Sequence, residues 1–322
     1  MYMLDLPIRP RRLRQSESVR KLVSETTLTK DDLVYPIFVH DGQDTKISID
    51  SLPGQYRYSL DGLLKQCELV IKSGVRAIAL FPGIEDRKKT KDAKEALNEN
   101  GLIPTALKKI KTQFPDLLLV TDIALDPFSA DGHDGIVKNG RVLNDESVEI
   151  LSNMALLHAE SGADIVAPSD MMDGRVGVIR KELEKHGFLD TIILSYAIKY
   201  ASTLYGPFRD ALNSAPKKGD KKTYQMDFSN RNEALKEALL DINEGADMLM
   251  VKPASWYLDI IRDLHNSVNI PIAGYHVSGE YAMLKFAAEK NIIDFKLGLR
   301  EVLTAIKRSG ASLIFTYGAL EF

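Results

Sequence analysis

An α/β fold is predicted for this chain, specifically a (β/α)8 TIM barrel with an extended N-terminal arm. Three observations carry that expectation. Short apolar runs recur eight times, amphipathic stretches separate them, and no linker or repeat divides the 322 residues. A doubly wound sheet is the alternative, but no Gly-x-Gly-x-x-Gly follows any run.

The arm comes first, over residues 1–30, and one barrel domain fills 31–322. Met1 to Arg14 read MYMLDLPIRPRRLR, where Pro7 and Pro10 argue against a regular helix. Four arginines (Arg9, Arg11, Arg12, Arg14) allow an anion-binding arm. Tyr2, Met3, Leu4, Leu6 and Ile8 want burial, however, which favours an extended arm docked on a partner subunit. We therefore expect a homo-oligomer.

Eight runs follow. The first four are Leu33–Val39, Val75–Phe81, Leu117–Ala124 and Asp164–Pro168; the second four are Thr191–Ala197, Met248–Lys252, Ile272–Val277 and Leu313–Tyr317. Rich in Val, Ile and Leu with little polar alternation, they read as strands buried on both faces. The segments between carry helical spacing, as in the face Leu63, Leu64, Cys67, Val70 and Ile71, which makes Cys67 a small core residue. Polar openings and late glycines mark helices over Asp145–Gly162 and Asn232–Gly245.

Composition narrows function. Hydrophobic residues at 44% and charged residues at 27% exclude a disordered or fibrous chain, and a net charge of -3 excludes whole-chain binding to nucleic acid or membrane surfaces. A single Cys excludes a disulfide framework and any multi-cysteine zinc site. With no bilayer-length apolar run and no hydrophobic signal core, a cytoplasmic location is expected.

Barrel enzymes place their chemistry where strands end. Strand three ends near Asp122 and runs into Asp126, Asp131 and Asp134; strand four ends at Ser169-Asp170, and strand five is followed by Lys199. Strand six ends in Lys252, strand seven leads to Tyr275 and Ser278, and strand eight ends at Tyr317. A strand-end lysine is often only a salt-bridge partner, but two at neighbouring ends are harder to explain so. Lys252 follows Met248-Leu249-Met250-Val251 without a polar spacer, so its ammonium is poorly solvated. Desolvation and a second cation, Lys199, both lower a lysine pKa. A neutral lysine attacks a ketone to give a Schiff base, which turns the carbonyl into an electron sink. The residues alone thus point to a Schiff-base barrel enzyme acting on a ketone.

At these positions the chain resembles the delta-aminolevulinic acid dehydratase (porphobilinogen synthase) family. The resemblance rests on Ala167-Pro168-Ser169-Asp170-Met171-Met172-Asp173-Gly174-Arg175, Lys199-Tyr200-Ala201-Ser202 and Tyr205-Gly206-Pro207-Phe208-Arg209-Asp210-Ala211. Tyr224-Gln225-Met226-Asp227, Met250-Val251-Lys252-Pro253 and Val277-Ser278-Gly279-Glu280-Tyr281-Ala282-Met283 complete it. Each piece is weak alone; six in family order, spanning nearly the whole chain, are specific.

The resemblance implies condensation of two delta-aminolevulinate molecules into porphobilinogen with loss of two waters, each substrate held as a lysine imine. Lys252 matches the P-site lysine, on the propionate side of the product, and Lys199 the A-site lysine, on the acetate side. Asp122, Asp126 and Asp134 are placed for the proton movements. Arg209 and Lys221 match an A-side carboxylate clamp with Gln225 beside it, and Ser278 and Tyr317 a P-side clamp. Phe208, Ser169 and Tyr275 complete the expected substrate contacts. Residues 202–225 read as a mobile polar lid that brings Arg209 and Lys221 over the substrate and excludes water. An octameric assembly is implied as well.

Metals divide the family, and this chain departs from the zinc-binding members. Their three catalytic cysteines correspond to Ala124, Asp126 and Asp134, so a three-cysteine zinc site is excluded. The two aspartates suit Mg2+, a monovalent cation, or metal-free acid–base work, and metal-free is our expectation. Asn232 to Ala238 matches the helix that carries an allosteric Mg2+ in cysteine-poor members, with Glu237 as the ligand; an ordinary solvated glutamate is the alternative. Two further departures stand out. Ala254-Ser255-Trp256 replaces smaller residues, implying an altered P-site wall, and only five residues follow Tyr317, so another element must cover strand eight. A rival reading is a class I aldolase or transaldolase-like barrel, but it predicts a Gly-rich phosphate cradle and leaves the second lysine unexplained. A non-enzymatic binding barrel explains neither lysine.

Overall fold

The computed structural model describes residues 6–43 and 45–322. Eight parallel strands close on themselves: β1 (Leu33–His40), β2 (Ala77–Gly83), β3 (Leu118–Ile123), β4 (Ile165–Pro168), β5 (Ile192–Lys199), β6 (Met248–Lys252), β7 (Ile272–His276) and β8 (Leu313–Thr316). Closure is made by β1 against β8, with Leu33 opposite Ile314 and Val34 opposite Phe315. Each expected strand is present within two residues of its apolar run.

Continuous apolar runs suit these strands because the two-residue period sends alternate side chains into two separate cores. On β1, Leu33, Tyr35, Ile37 and Val39 pack in the layer beneath the helices, whereas Val34 and Phe38 point into the barrel. Phe81, Val120, Tyr196, Met250 and Phe315 join the inner layer. The outer layer receives helices α1 (Leu60–Ser73), α2 (Leu102–Gln113), α3 (Asn144–Glu160), α4 (Arg175–Lys185), α5 (Asn232–Glu244), α6 (Leu258–Ser267) and α7 (Phe295–Ser309). In α1 the Ser59 side chain accepts from the Gly62 N–H, and Gly74 ends the helix at φ 94°, which L side chains avoid. Its buried face holds Leu63, Cys67 and Val70; burial pushes the Cys67 thiol up to about 12, consistent with an inert core residue.

Strand β8 is covered by α7, whose Leu299 packs so closely on Gly318 that a Cβ there would lie 2.7 Å from it. The described part of the arm differs from expectation. Pro10–Arg14 forms a 3-10 turn and Glu17–Leu22 an α-helix, because proline is accepted at a first helical position and Ser16 caps the second element. Tyr2, Met3 and Leu4 lie outside the described residues. Ile8 is 80% exposed and Leu13 57% exposed, whereas at the arm's end Leu28 packs against the outer core and Lys30 Nζ donates to the Ala319 carbonyl at 3.1 Å. No described helix is long and apolar enough to cross a membrane.

Candidate active site

The ends of β5 and β6 bring the two lysines together. The parallel register places Lys252 opposite Lys199, and both side chains are buried. Their surroundings differ. Lys199 Nζ donates to the Ser169 carbonyl and pairs with Asp134 Oδ1 at 3.3 Å. Lys252 Nζ instead sits among four rings, 4.7 Å from the centroid of Tyr275, 4.9 Å from Phe208, 5.0 Å from Tyr196 and 5.3 Å from Tyr205. Burial first, and Lys199 second, lower its pKa to about 7 against the opposing pull of Asp122. A large share of Lys252 is therefore a neutral amine near pH 7.

The strand-three carboxylates separate by environment. Asp122, at the end of β3, has one carboxylate oxygen without a described partner. Burial raises it to about 6 although Lys252 and Ser169 pull it down. Burial acts the same way on Asp134, but Lys199 and Lys221 overcome it and hold that carboxyl well below the usual range. Tyr224 adds a hydrogen bond to Asp134 Oδ2 at 2.8 Å. At neutral pH Asp134 is thus a fixed anion, while Asp122 can exchange a proton.

Lys221 reaches in from the segment after β5, its Nζ 3.2 Å from Asp126 Oδ2 and 2.8 Å from Asp134 Oδ2. Burial opposes its charge, yet the two aspartates raise its pKa. That segment is more ordered in form than a polar loop, since Gly206–Leu212 is a helix carrying Phe208 and Arg209. Arg209 lies 6.0 Å over the Tyr205 ring and lines the mouth with Gln225, whose buried Oε1 has no described partner. Ser278 accepts from the Phe208 N–H at 3.0 Å and donates to the Leu204 carbonyl. Tyr317 and Tyr275 share a hydroxyl contact at 3.2 Å, with Tyr317 stacked on Phe38. Only about 20 Å³ is open between the lysines, the strand-three aspartates, Arg209 and Gln225, room for about one water.

The structure thus brings together the expected residues at the barrel mouth, but Glu237 is elsewhere. It lies on α5 at the wall of a larger outer cavity of about 1210 Å³ with Glu233, Asp173 and Asp227. Volume does not mark the chemistry here, because none of the three lysines at the barrel mouth, Lys199, Lys221 and Lys252, borders that cavity. Burial, then Asp241, raise the Glu237 pKa, with Glu233 and Asp173 adding to the effect and Arg175 opposing it. Trp256, expected to alter the P-site wall, is 61% exposed and does not line the mouth. Its turn directs the ring outward while Ala254 stays buried. Sequence reasoning missed Tyr196 and Tyr205 around Lys252, and Tyr224 on Asp134. Position on the inner face of β5 was the available signal for Tyr196; the other two depend on how the chain after β5 folds back.

Fold and site together define a TIM-barrel enzyme with paired buried lysines and carboxylates at its C-terminal mouth. The model of the delta-aminolevulinic acid dehydratase family matches residues 7–322. The chain is 52% identical over 313 residues to the delta-aminolevulinic acid dehydratase of Methanothermus sociabilis, covering 97% of each chain. It is 51% identical over 319 residues to that of Chlamydia pneumoniae, covering 99% of this chain and 96% of the relative. A crystal structure of the Toxoplasma gondii enzyme in complex with the product porphobilinogen superposes with TM-score 0.97 at 49% identity, over 99% of this chain and 91% of that one. The chain belongs to the delta-aminolevulinic acid dehydratase family, the porphobilinogen synthases, lyases of porphyrin and heme biosynthesis.

Proposed function

We propose that the condensation of two delta-aminolevulinate molecules runs through imines on both Lys252 and Lys199. The carrying observation is the aromatic enclosure of Lys252, which keeps much of it neutral beside a second buried lysine. Each imine expels one water, accounting for the two waters lost. Carbon–carbon and carbon–nitrogen bond formation between the substrates then releases both lysines as amines. The Lys199 substrate, on the acetate side, tautomerises to an enamine nucleophile; Lys252 holds the propionate-side substrate as electrophile. Asp122 exchanges protons near Lys252, because its pKa of about 6 lies close to that of the lysine. Asp134 stays anionic and steadies developing ammonium charge, and Asp126 pairs with Lys221 beside it.

In this reading Arg209, Lys221 and Gln225 take the carboxylate of the Lys199 substrate, and Ser278 and Tyr317 that of the Lys252 substrate. Phe208, Tyr275 and the Ser169 carbonyl complete the walls. The active centre works without metal, since Lys221 and Lys199 already satisfy Asp126 and Asp134. A Mg2+ ion suits Glu237: Asp241, Glu233 and Asp173 make its surroundings acidic, and one carboxylate with a mostly hydrated ion is ordinary for Mg2+. When bound it supplies positive charge beside α5. The arm wraps a neighbouring subunit in a homo-octamer, and the enzyme is cytoplasmic.

Borohydride trapping with aminolevulinate, read by peptide mass, tests the scheme. Adducts are expected on both lysines, and Lys252→Ala and Lys199→Ala should each abolish product while leaving the circular dichroism spectrum unchanged. A missing Lys252 adduct, or a substantial residual activity in either variant, overturns it.

A further inference from the structure

We infer that Glu280 is a positioning residue that fixes Lys252 against Ser278 and the root of the lid. This deepens the reading above and rests on Lys252 being an imine lysine. Glu280 is 3% exposed on the first turn of the helix Ser278–Glu289, yet it pairs with no described cation. Its two carboxylate oxygens go to backbone donors on different loops. Oε1 accepts from the Ser255 N–H, three residues beyond Lys252, and Oε2 from the Val277 N–H, one residue before Ser278, both at 2.7 Å. One side chain thus ties the loop after β6 to the loop after β7. Burying an unpaired carboxylate is costly, and burial raises its pKa to about 7. A purely structural cap could be made by a serine or aspartate on Val277 alone; the second bond, across to the Lys252 loop, is what a cap does not need.

The same helix end reaches the lid. Ser278 Oγ donates to the Leu204 carbonyl and accepts from the Phe208 N–H. Gly279 presses so closely on Leu204 that a Cβ would lie 2.5 Å from its carbonyl oxygen, a space only glycine leaves. From the lid side, the Tyr205 hydroxyl shares its one hydrogen between the carbonyls of Tyr200 and Lys252, at 2.7 and 3.0 Å. Lys252, Ser278 and the residues that begin the lid are therefore held by one polar clasp. Glu280 is its only carboxylate.

Glu280→Gln keeps the size of the side chain but turns one acceptor into an N–H₂ group facing a backbone donor. In the full-length enzyme we expect Lys199 to trap aminolevulinate with borohydride as in the parent. Trapping on Lys252 should drop at least tenfold, and kcat should fall by on the order of 100-fold, as a misplacement near 1 Å produces. Ser255→Pro is the second variant, read identically if the first does not fold. Ser255 occupies the second position of a turn closed by the Tyr257 N–H on the Ala254 carbonyl, where proline fits, so the change removes the N–H that Glu280 takes, together with the serine hydroxyl beside it. An unchanged ratio of Lys252 to Lys199 adducts in a folded variant overturns the inference. Equal loss on both lysines also overturns it, as the mark of a general structural role. A parent enzyme without any Lys252 adduct instead defeats the imine assignment itself.

Discussion

Replacing Lys252 with methionine should abolish catalysis and raise stability. Methionine fills the lysine's space and makes favourable sulfur contacts with the four surrounding rings. The lysine pays a linkage penalty because its pKa falls from 10.5 in the unfolded chain to about 7 in the fold. Below pH 7 both states carry the proton, so the whole penalty is present. Between about 7 and 10.5 only the unfolded chain stays protonated, and native stability rises with pH by about 1.4 kcal/mol per unit. At pH 7 the penalty is on the order of 4 kcal/mol. Part of it returns in the variant, because Asp122 loses a neighbour that pulls its pKa down. A net gain of roughly 2–3 kcal/mol remains, worth about 3–4 °C in a chain of this size. Scanning calorimetry of both proteins at one concentration, from pH 6.5 to 10, reads this directly. The parent's melting temperature should climb with pH and the variant's should not. A variant that melts no higher than the parent at pH 7, or that keeps the same pH slope, refutes the account of Lys252 as a strained, partly neutral lysine.

Imine formation on Lys252 should follow the lysine's deprotonation, rising about tenfold per pH unit below neutrality and levelling above about pH 7; a trapping rate that keeps climbing past pH 9 would count against it. Zinc-selective chelation should leave activity unchanged, whereas removing Mg2+ should lower it and Glu237→Ala should blunt the response to added Mg2+. Equal Mg2+ stimulation of parent and variant removes Glu237 as the ligand. Within residues 1–14, Ile8 and Leu13 are exposed, so a protein lacking residues 1–14 should fold but sediment as smaller assemblies with low specific activity when dilute. Full-size particles with normal activity would show that the arm does not hold subunits together.

The barrel and its strand-end chemistry were legible in the chain because both depend on local pattern. Strands covered on both faces need unbroken apolar runs, so β1 to β8 appear as blocks of Val, Ile and Leu, and the residue closing each block is carried to the same rim by the parallel register. Lys252 at the end of Met248-Leu249-Met250-Val251 could be singled out on that ground alone, and the order of the motifs supplied the family. Folding back of the chain decided what no run records. The helix Gly206–Leu212 is too short to show a period, and proline at its second residue reads equally well as a loop, so the sequence shows a mobile polar lid over 202–225 and not the helix within it. The short helix of the arm was hidden for the same reason. Four rings from three segments meet only in three dimensions, and they convert an ordinary lysine into a partly neutral one. Likewise Asp122 and Asp134, twelve residues apart and chemically identical, become a proton exchanger and a fixed anion. Burial without a full partner acts on the first, two lysine cations act on the second, and those distances belong to the tertiary structure.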